Sequence, residues 1–333
     1  MKKGWKIALI SLGSLLGLLI VVVAVALWLV FTPAQLTKIV NRVAANYVNA
    51  ETHFDRVDLT LFKTFPDAGL TIDNVYLVNP VEGAPSDTVA HIGSLTLGVD
   101  VKSYLKEKKV IVHQVLLYDV DADLYIDKEG RSNYDVFPKS TDTTKSTFCL
   151  DSLPLIDLRK IAVSDLGARL LDEKDGLDTG VEGLDLDIIG SLKDGLVDAD
   201  VTIDAQALAL NRFTSLDSAS STLEVALQNL SLALKGEGNL DNVEGKLKLG
   251  VESGELVLGD NQMINEKLQN SKKDLLRMQV PFKADLQKMH IELAESELQL
   301  DDYAIGLEGQ VQLKTAEEPM AVDMALKTDG SLV

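Results

Sequence analysis

Most of the chain beyond residue 90 alternates apolar and polar residues with a period of two. Clear runs lie at residues 95–101, 120–126, 184–188 and 197–205. This spacing gives a strand one apolar face, because successive side chains point to opposite sides. Turn-forming sequences such as Lys128-Glu129-Gly130 and Lys193-Asp194-Gly195 separate the runs. The pattern predicts a mainly β fold of about fifteen strands in an elongated antiparallel β-meander.

A different period marks the segment that begins at Thr32-Pro33, where a hydroxyl and then a proline favour a helix start. Apolar residues follow at helical spacing, with polar residues opposite: Leu36, Ile39, Val40, Val43, Ala44 and Tyr47. We predict a short amphipathic helix from Pro33 to about Asn49. It could rest on a bilayer or close one end of the β structure, and its weakly basic polar face favours the second.

The N-terminal segment from Ile7 to Phe31 contains 25 residues and no charged side chain. As a helix it would extend about 37 Å, enough for a bilayer core of roughly 30 Å. Trp5 and Trp28 stand near its ends, and three lysines lie among the first six residues. The pattern predicts a transmembrane signal anchor with a cytoplasmic N-terminus and everything after Phe31 exported. A cleaved signal peptide is the alternative, but its apolar region would be shorter.

Two stretches interrupt the strand pattern. Residues 138–152 are rich in Ser, Thr and Asp and predict a flexible linker, whereas residues 260–278 could form a helix or a polar insertion. The predicted organisation is therefore a cytoplasmic tip and anchor at 1–31, a helix with the first strands at 32–137, the linker at 138–152, and repeated antiparallel strands at 153–333.

Charge narrows the choice of partners. Three of the 32 basic residues stand in the N-terminal cluster, which leaves 29 against 51 acidic residues, a formal charge of −22. Such a body repels nucleic-acid phosphates, so a nucleic-acid partner is not expected. The same charge disfavours flat docking on an anionic membrane, so contact with lipid is expected to be apolar.

The aliphatic face of the strands allows two interpretations. It could form the closed core of a sandwich, or it could line an open, groove-like, curved sheet that holds acyl chains. The low aromatic content of 5% favours the groove, but periodicity alone favours the core, since large exposed apolar strips are rare. The candidate lining residues are Leu95, Leu97, Val99, Val101, Val120, Ala122, Leu124, Ile126, Leu184, Leu186, Ile188, Val197, Val201 and Ile203.

No catalytic, metal or cofactor site is predicted. The four histidines His53, His91, His113 and His290 share no spacing, and no HExxH, GxSxG, GxGxxG or Walker A motif occurs. The run Asp119, Asp121 and Asp123 lacks the glycine and glutamate of an EF-hand, so a solvated strand face is the better interpretation. Cys149 is the only cysteine, which rules out an intramolecular disulfide. An enzyme is therefore the least favoured class.

Several short motifs occur in a fixed order along the chain. They are a Pro-started helix, a strand ending in Phe-Pro, a Leu-rich strand with an Asn-Val turn, and a later Asn-Tyr-Asp segment followed by prolines. The residues are Thr32-Pro33, Leu36, Phe65-Pro66, Leu70, Asn74-Val75, Leu77, Asn133-Tyr134-Asp135, Pro138 and residues 153–158. In these motifs the chain resembles the AsmA family, and its Bacteroidota members in particular. The resemblance covers essentially the whole chain but includes no catalytic residue.

This resemblance implies a repeating β-groove anchored in the inner membrane, with the bulk of the chain in the periplasm. The implied role is to carry phospholipid to the outer membrane and so support outer-membrane biogenesis. Its expected partners are phospholipid acyl chains, the inner membrane and other envelope proteins. A non-enzymatic structural or assembly factor with a closed β core is the alternative.

Overall fold

A computed structural model of the chain shows a protein built almost wholly of strands. It describes residues 36–38, 40–41, 49–60, 63–65, 67–100, 103, 106, 111–136, 156–193, 195–213, 221–258, 274–301, 303–313 and 320–328. The fourteen strands are β1 (Thr52–His53), β2 (Arg56–Thr60), β3 (Ala68–Val78), β4 (Thr88–Val99), β5 (Val112–Ile126), β6 (Ile156–Asp172), β7 (Leu177–Lys193), β8 (Leu196–Phe213), β9 (Ser221–Asn239), β10 (Asn242–Leu258), β11 (Leu276–Asp285), β12 (His290–Leu300), β13 (Tyr303–Gln312) and β14 (Ala321–Thr328).

All fourteen strands join one open, curved sheet. Its order is β1-β3-β4 and then sequentially to β14, with β2 also paired to β3. Thirteen strands along this path give a sheet roughly 55–60 Å long at about 4.8 Å per strand. The predicted mainly β fold and open curved sheet are confirmed.

The prediction of a wholly antiparallel meander is wrong at one joint, since β5 and β6 pair in parallel. Parallel neighbours need a connection that returns across the sheet, whereas a hairpin turn is enough for antiparallel ones. Residues 127–155 make that connection, and they include the predicted linker at 138–152. The period-two pattern could not reveal this, because alternation is the same in both pairings.

The predicted amphipathic helix is helical at its described residues, 36–38 and 40–41. Leu36 is only 5% exposed and packs in one cluster with Val57, Ile72 and Val75. Val40 packs against the same cluster. At these residues the helix covers the first strands of the sheet, as predicted for a helix that closes one end.

The predicted anchor, Ile7 to Phe31 with Trp5 and Trp28, lies outside the described residues. Among the residues that are described, no helix is long and apolar enough to cross a bilayer. The linker at 138–152 also lies outside them, as does the stretch 260–273. Leu276 to Met278, the end of the second irregular stretch, belongs to β11 rather than to a helix or insertion.

A line of β-bulges crosses the sheet, and one of them shows that the interpretation of Asn74-Val75 as a turn is wrong. Asn74 and Val75 do not form a turn; they lie inside β3, where Asn74 has φ 53°. The other left-handed residues at this level are Asp119 in β5, Asp165 in β6, Gly183 in β7 and Asn229 in β9. In the ladder registers Asp119 lies beside Asp165, Gly93 separates Asn74 from Asp119, and Gln206 separates Gly183 from Asn229. Gly183 is offset by two residues from the position opposite Asp165. Because each bulge bends its strand, bulges at one level curve the whole sheet.

Candidate functional site

The candidate site is the apolar side of the sheet, here called the apolar face; the opposite side is the outer face. Directly paired residues on neighbouring strands share a face, so ladder registers trace rows across the sheet. The central row contains one aliphatic or methionine side chain from each of eleven strands, β3 to β13. Its members are Ile72, Leu95, Leu117, Val163, Leu186, Ile203, Leu232, Leu249, Met278, Leu298 and Ile305.

Two flanking rows extend this apolar face toward both strand ends, and neither contains a polar residue. One row holds Leu70, Leu97, Val115, Ile161, Ile188, Val201, Leu234, Leu247 and Val280. The other, beyond the bulges, holds Val75, Ile92, Val120, Leu166, Leu184, Ala205, Leu230, Val251, Leu276 and Leu300. The three rows form a continuous aliphatic strip along the length of the sheet.

The structure brings the predicted lining residues together on this face. Leu95, Leu186 and Ile203 belong to the central row; Leu97, Ile188 and Val201 to the first flanking row; Val120 and Leu184 to the second. Val99, Ala122, Leu124, Ile126 and Val197 continue the face toward the strand ends, while Val101 lies outside the described residues. That these residues line a path for lipid stays a prediction.

The apolar face is covered at its beginning and open along its middle. Under the N-terminal helix, Val57 is fully buried and Ile72 is 6% exposed. From β6 to β9 most row members, such as Leu186, Ile203 and Leu232, are only half-buried. No other described element packs over them.

The ring of Phe282, in β11, lies over glycines of β9 and β10 on the apolar face. A Cβ on Gly245 would lie 2.6 Å from the Phe282 ring, and one on Gly236 would lie 3.3 Å from it, so two glycines make room for the ring. Phe282 joins Val243 and Ala284 in a second buried cluster. Leu298 and Ile305, in β12 and β13, are also half-buried, so half-buried members of the strip occur on both sides of Phe282.

The outer face carries the charge. Lys235 reaches Asp200 at 3.1 Å and Lys283 reaches Glu244 at 2.8 Å, each pair joining neighbouring strands. The hydrogen bond that Lys235 donates to Asp200 raises the pKa of Lys235, and the one that Lys283 donates to Glu244 lowers the pKa of Glu244. Such exposed ion pairs contribute little to the free energy of folding. They make the outer face polar and hydrated, whereas the opposite face is apolar.

The histidines do not form a common site. His91 stacks on Tyr76 with ring centroids 4.5 Å apart, and Nδ1 of the buried His113 lies 3.1 Å from Asp67 Oδ1. Among the described residues no group of His, Cys, Asp or Glu is placed to hold a metal ion. The run Asp119, Asp121 and Asp123 is not a plain alternating face, since Asp119 occupies a bulge at φ 55°.

Sequence reasoning missed the bulges, although they leave a signal. Each occurs in an apolar-x-(Asn, Asp or Gly)-apolar tetrapeptide, which places apolar residues three apart instead of two. The five tetrapeptides begin at Ile72, Leu117, Val163, Val181 and Leu227. Asn, Asp and Gly are the residues that adopt the left-handed conformation at least cost. Allowing for this change of phase places Leu117 and Val163 on the same face as Val120 and Leu166.

Comparison with known proteins gives one match. The model of the AsmA family matches residues 1–207, which is more than half of the 333 residues. No curated protein and no solved structure matches the chain. The matched region runs from the N-terminus into β8 and includes the start of the open strip.

Proposed function

The chain belongs to the AsmA family, and on that premise we propose that its apolar face carries phospholipid acyl chains along the sheet. The observation that carries this proposal is the central row of eleven directly paired apolar residues. Full burial of one such side chain is worth about 1.5–3 kcal/mol. Covering the half-buried side chains of these rows with an apolar ligand would therefore lower the free energy.

The proposal includes the anchor at Ile7 to Phe31, which would hold the N-terminus in the cytoplasm and the sheet in the periplasm. Phospholipid would then move from the inner membrane toward the outer membrane and support outer-membrane biogenesis. The charge-free apolar segment and the N-terminal lysines support this orientation. A strip without interruption supports movement along it, since an acyl chain can pass from one strand to the next without meeting a polar side chain.

Photo-crosslinking of neighbouring residues on opposite faces tests this function. The photoreactive residue p-benzoylphenylalanine replaces Ile203 on the apolar face or Thr202 on the exposed outer face, in the full chain within intact cells. Irradiation of cells that carry radiolabelled phospholipid should label the protein at position 203 and not at 202. Equal labelling at both positions, or none at 203, would contradict the proposal.

A non-enzymatic role in assembling envelope proteins is the alternative, and β14 favours it. On this last described strand Val322 is 58% exposed and Leu326 is 64% exposed. A protein partner could cover these side chains by extending the sheet. The same photoreactive residue at Val322 should crosslink to a protein under this alternative, while position 203 should remain unlabelled by lipid.

A further inference from the structure

Phe65 stands out at the rim of the sheet where β3 begins. Its side chain is 80% exposed, more than any other large apolar side chain that the structure describes. It lies in the short connection from β2 to β3, whose described residues are 63–65 and 67. An exposed phenylalanine has no favourable contact with water, so its position calls for a physical reason.

The residues around Phe65 are firmly held. Thr64 is 1% exposed, and its hydroxyl donates to the Asp67 carbonyl at 3.1 Å. Gln114 in β5 donates from Nε2 to the Thr64 carbonyl at 3.0 Å and to Asp67 Oδ2 at 3.1 Å. His113 contacts the other carboxylate oxygen of Asp67 at 3.1 Å. Phe65 is therefore presented by neighbours that are tied to the sheet.

Two glycines allow this connection to lie against the outer face. Gly69 and Gly98 are direct cross-strand partners in β3 and β4. A Cβ on Gly69 would lie 2.8 Å from Thr64 Oγ1, and one on Gly98 would lie 3.3 Å from Thr64 Cβ. Larger residues would lift Thr64 off the sheet. The local sequence thus places Thr64 inward and Phe65 outward.

Two exposed lysines lie in the connections at this end of the first strands, on a chain that is otherwise strongly acidic. Lys63 is exposed two residues before Phe65, and the exposed Lys106 follows β4 at the same rim. The Asp100 carboxylate accepts from the Ser103 backbone N–H at 3.2 Å, near the start of the connection from β4 to β5. The chain as a whole is acidic and repels anionic membranes, but the exposed side chains of Lys63 and Lys106 give this end of the sheet positive charge.

We propose that Phe65, with Lys63 two residues before it and Lys106 in the connection that follows β4 at the same end of the sheet, is a membrane-contact point that inserts into the surface of an anionic phospholipid bilayer. An aromatic side chain with adjacent lysines is the composition that binds such interfaces. The inference rests on the proposed lipid-carrying function, because a carrier must take lipid from a membrane. It adds where the sheet touches that membrane: at the rim of β3, next to the helix-covered start of the strip.

Quenching of a single indole by brominated lipid tests this contact in the full chain reconstituted into vesicles. The background carries Trp5→Phe and Trp28→Phe, and Phe65→Trp supplies the reporter. The matched control is Leu196→Trp, a side chain 64% exposed at the start of β8, several strands away. In vesicles of phosphatidylethanolamine and brominated phosphatidylglycerol, fluorescence at position 65 should fall severalfold more than at position 196.

Three results would overturn the proposal: no quenching at position 65, equal quenching at both positions, or quenching unchanged by the double variant Lys63→Glu, Lys106→Glu. Loss of quenching when brominated phosphatidylcholine replaces the brominated anionic lipid supports the charged part of the contact. Lipid labelling at position 203 is a separate measurement. The membrane contact can therefore fail while lipid carriage stands, and lipid carriage can fail while the contact stands.

Discussion

The covered start and the open middle of the sheet use the same side-chain pattern for different purposes. Ile72 in β3 and Ile203 in β8 belong to one row, and each is directly paired with aliphatic residues on both of its neighbouring strands. Ile72 is 6% exposed in a cluster with Leu36 of the N-terminal helix, whereas Ile203 is half-buried with no described element above it. The same aliphatic row is a core in one place and an accessible surface in the other.

This difference shows that the alternation of apolar and polar residues determines which face of a strand is apolar, but not whether another element packs on that face. Leu36 and Val40 supply the second layer at the start of the sheet, and they do so for only the first few strands. From β6 to β9 most side chains of the strip are half-buried, in a sheet that the bulges curve. A ligand can therefore replace, along the middle, the cover that the helix provides at the start.

The sharpest test of this comparison places a charge at both isoleucines. We expect Ile72→Asp to lower the free energy of unfolding by at least about 4 kcal/mol, because a carboxylate would be buried without a partner. Ile203→Asp should cost about 1 kcal/mol or less, since water reaches this position. Chemical denaturation of the two full-chain variants measures both.

Equal losses at positions 72 and 203 would contradict the open middle and favour a closed core. The Ile203→Asp variant should also lose bound phospholipid while it stays folded. Thr202→Asp, on the outer face of the same strand, is the matched control and should retain both stability and lipid.

A second prediction asks whether the bulges act alike in both regions. Asn74 in the covered part and Asn229 in the open part have φ 53° and φ 49°. Asn→Val at either position should cost roughly 1–2 kcal/mol, because a β-branched residue resists the left-handed conformation. Thermal unfolding of the two variants should give similar shifts.

Asn229→Gly is the control, since glycine keeps the backbone conformation and loses only an exposed hydrogen bond to Glu252. If glycine cost as much as valine, the side-chain bond rather than the backbone would explain the asparagine. If the shifts in thermal unfolding differed greatly between the two valine variants, the bulges in the covered and open parts would not have the same structural role.

The smallest expected effect is a dependence on pH at the strand turns. Burial alone would raise the pKa of Asp127, but hydrogen bonds from the Arg131 backbone and side chain lower it below its ordinary value of 3.8. Hydrogen bonds from Lys288 likewise lower the pKa of Asp285 in the turn from β11 to β12. A lowered folded-state pKa means that these carboxylates stabilise the fold above the ordinary value, and that this is lost on acidification.

Unfolding free energies measured from about pH 5 to about pH 3 should therefore fall less in Asp127→Asn and Asp285→Asn than in the parent chain. Similar flattening in both variants would show that turns in the two regions are built alike. An unchanged pH profile in either variant would contradict the role given to that carboxylate.

The sequence was sufficient for the strands, most turns, the single apolar face and the helix at Leu36. It failed at the β5–β6 joint, since period-two alternation carries no information on strand direction. It also failed at Asn74-Val75, which was interpreted as a turn. The local sequence around an asparagine can be the same in a β-bulge and in a turn. Only the pairing of β3 with strands on both of its sides shows that Asn74 lies within a strand.

The sequence by itself determined which side chains are apolar and on which side of each strand they lie, because that follows from the pleat. It also placed the charges on the opposite side. Only the tertiary structure decided that these faces align into continuous rows, that the bulges lie at one level, and that the helix covers one end and leaves the middle open. Those features depend on register and on contacts between residues far apart in the chain, which no local pattern encodes.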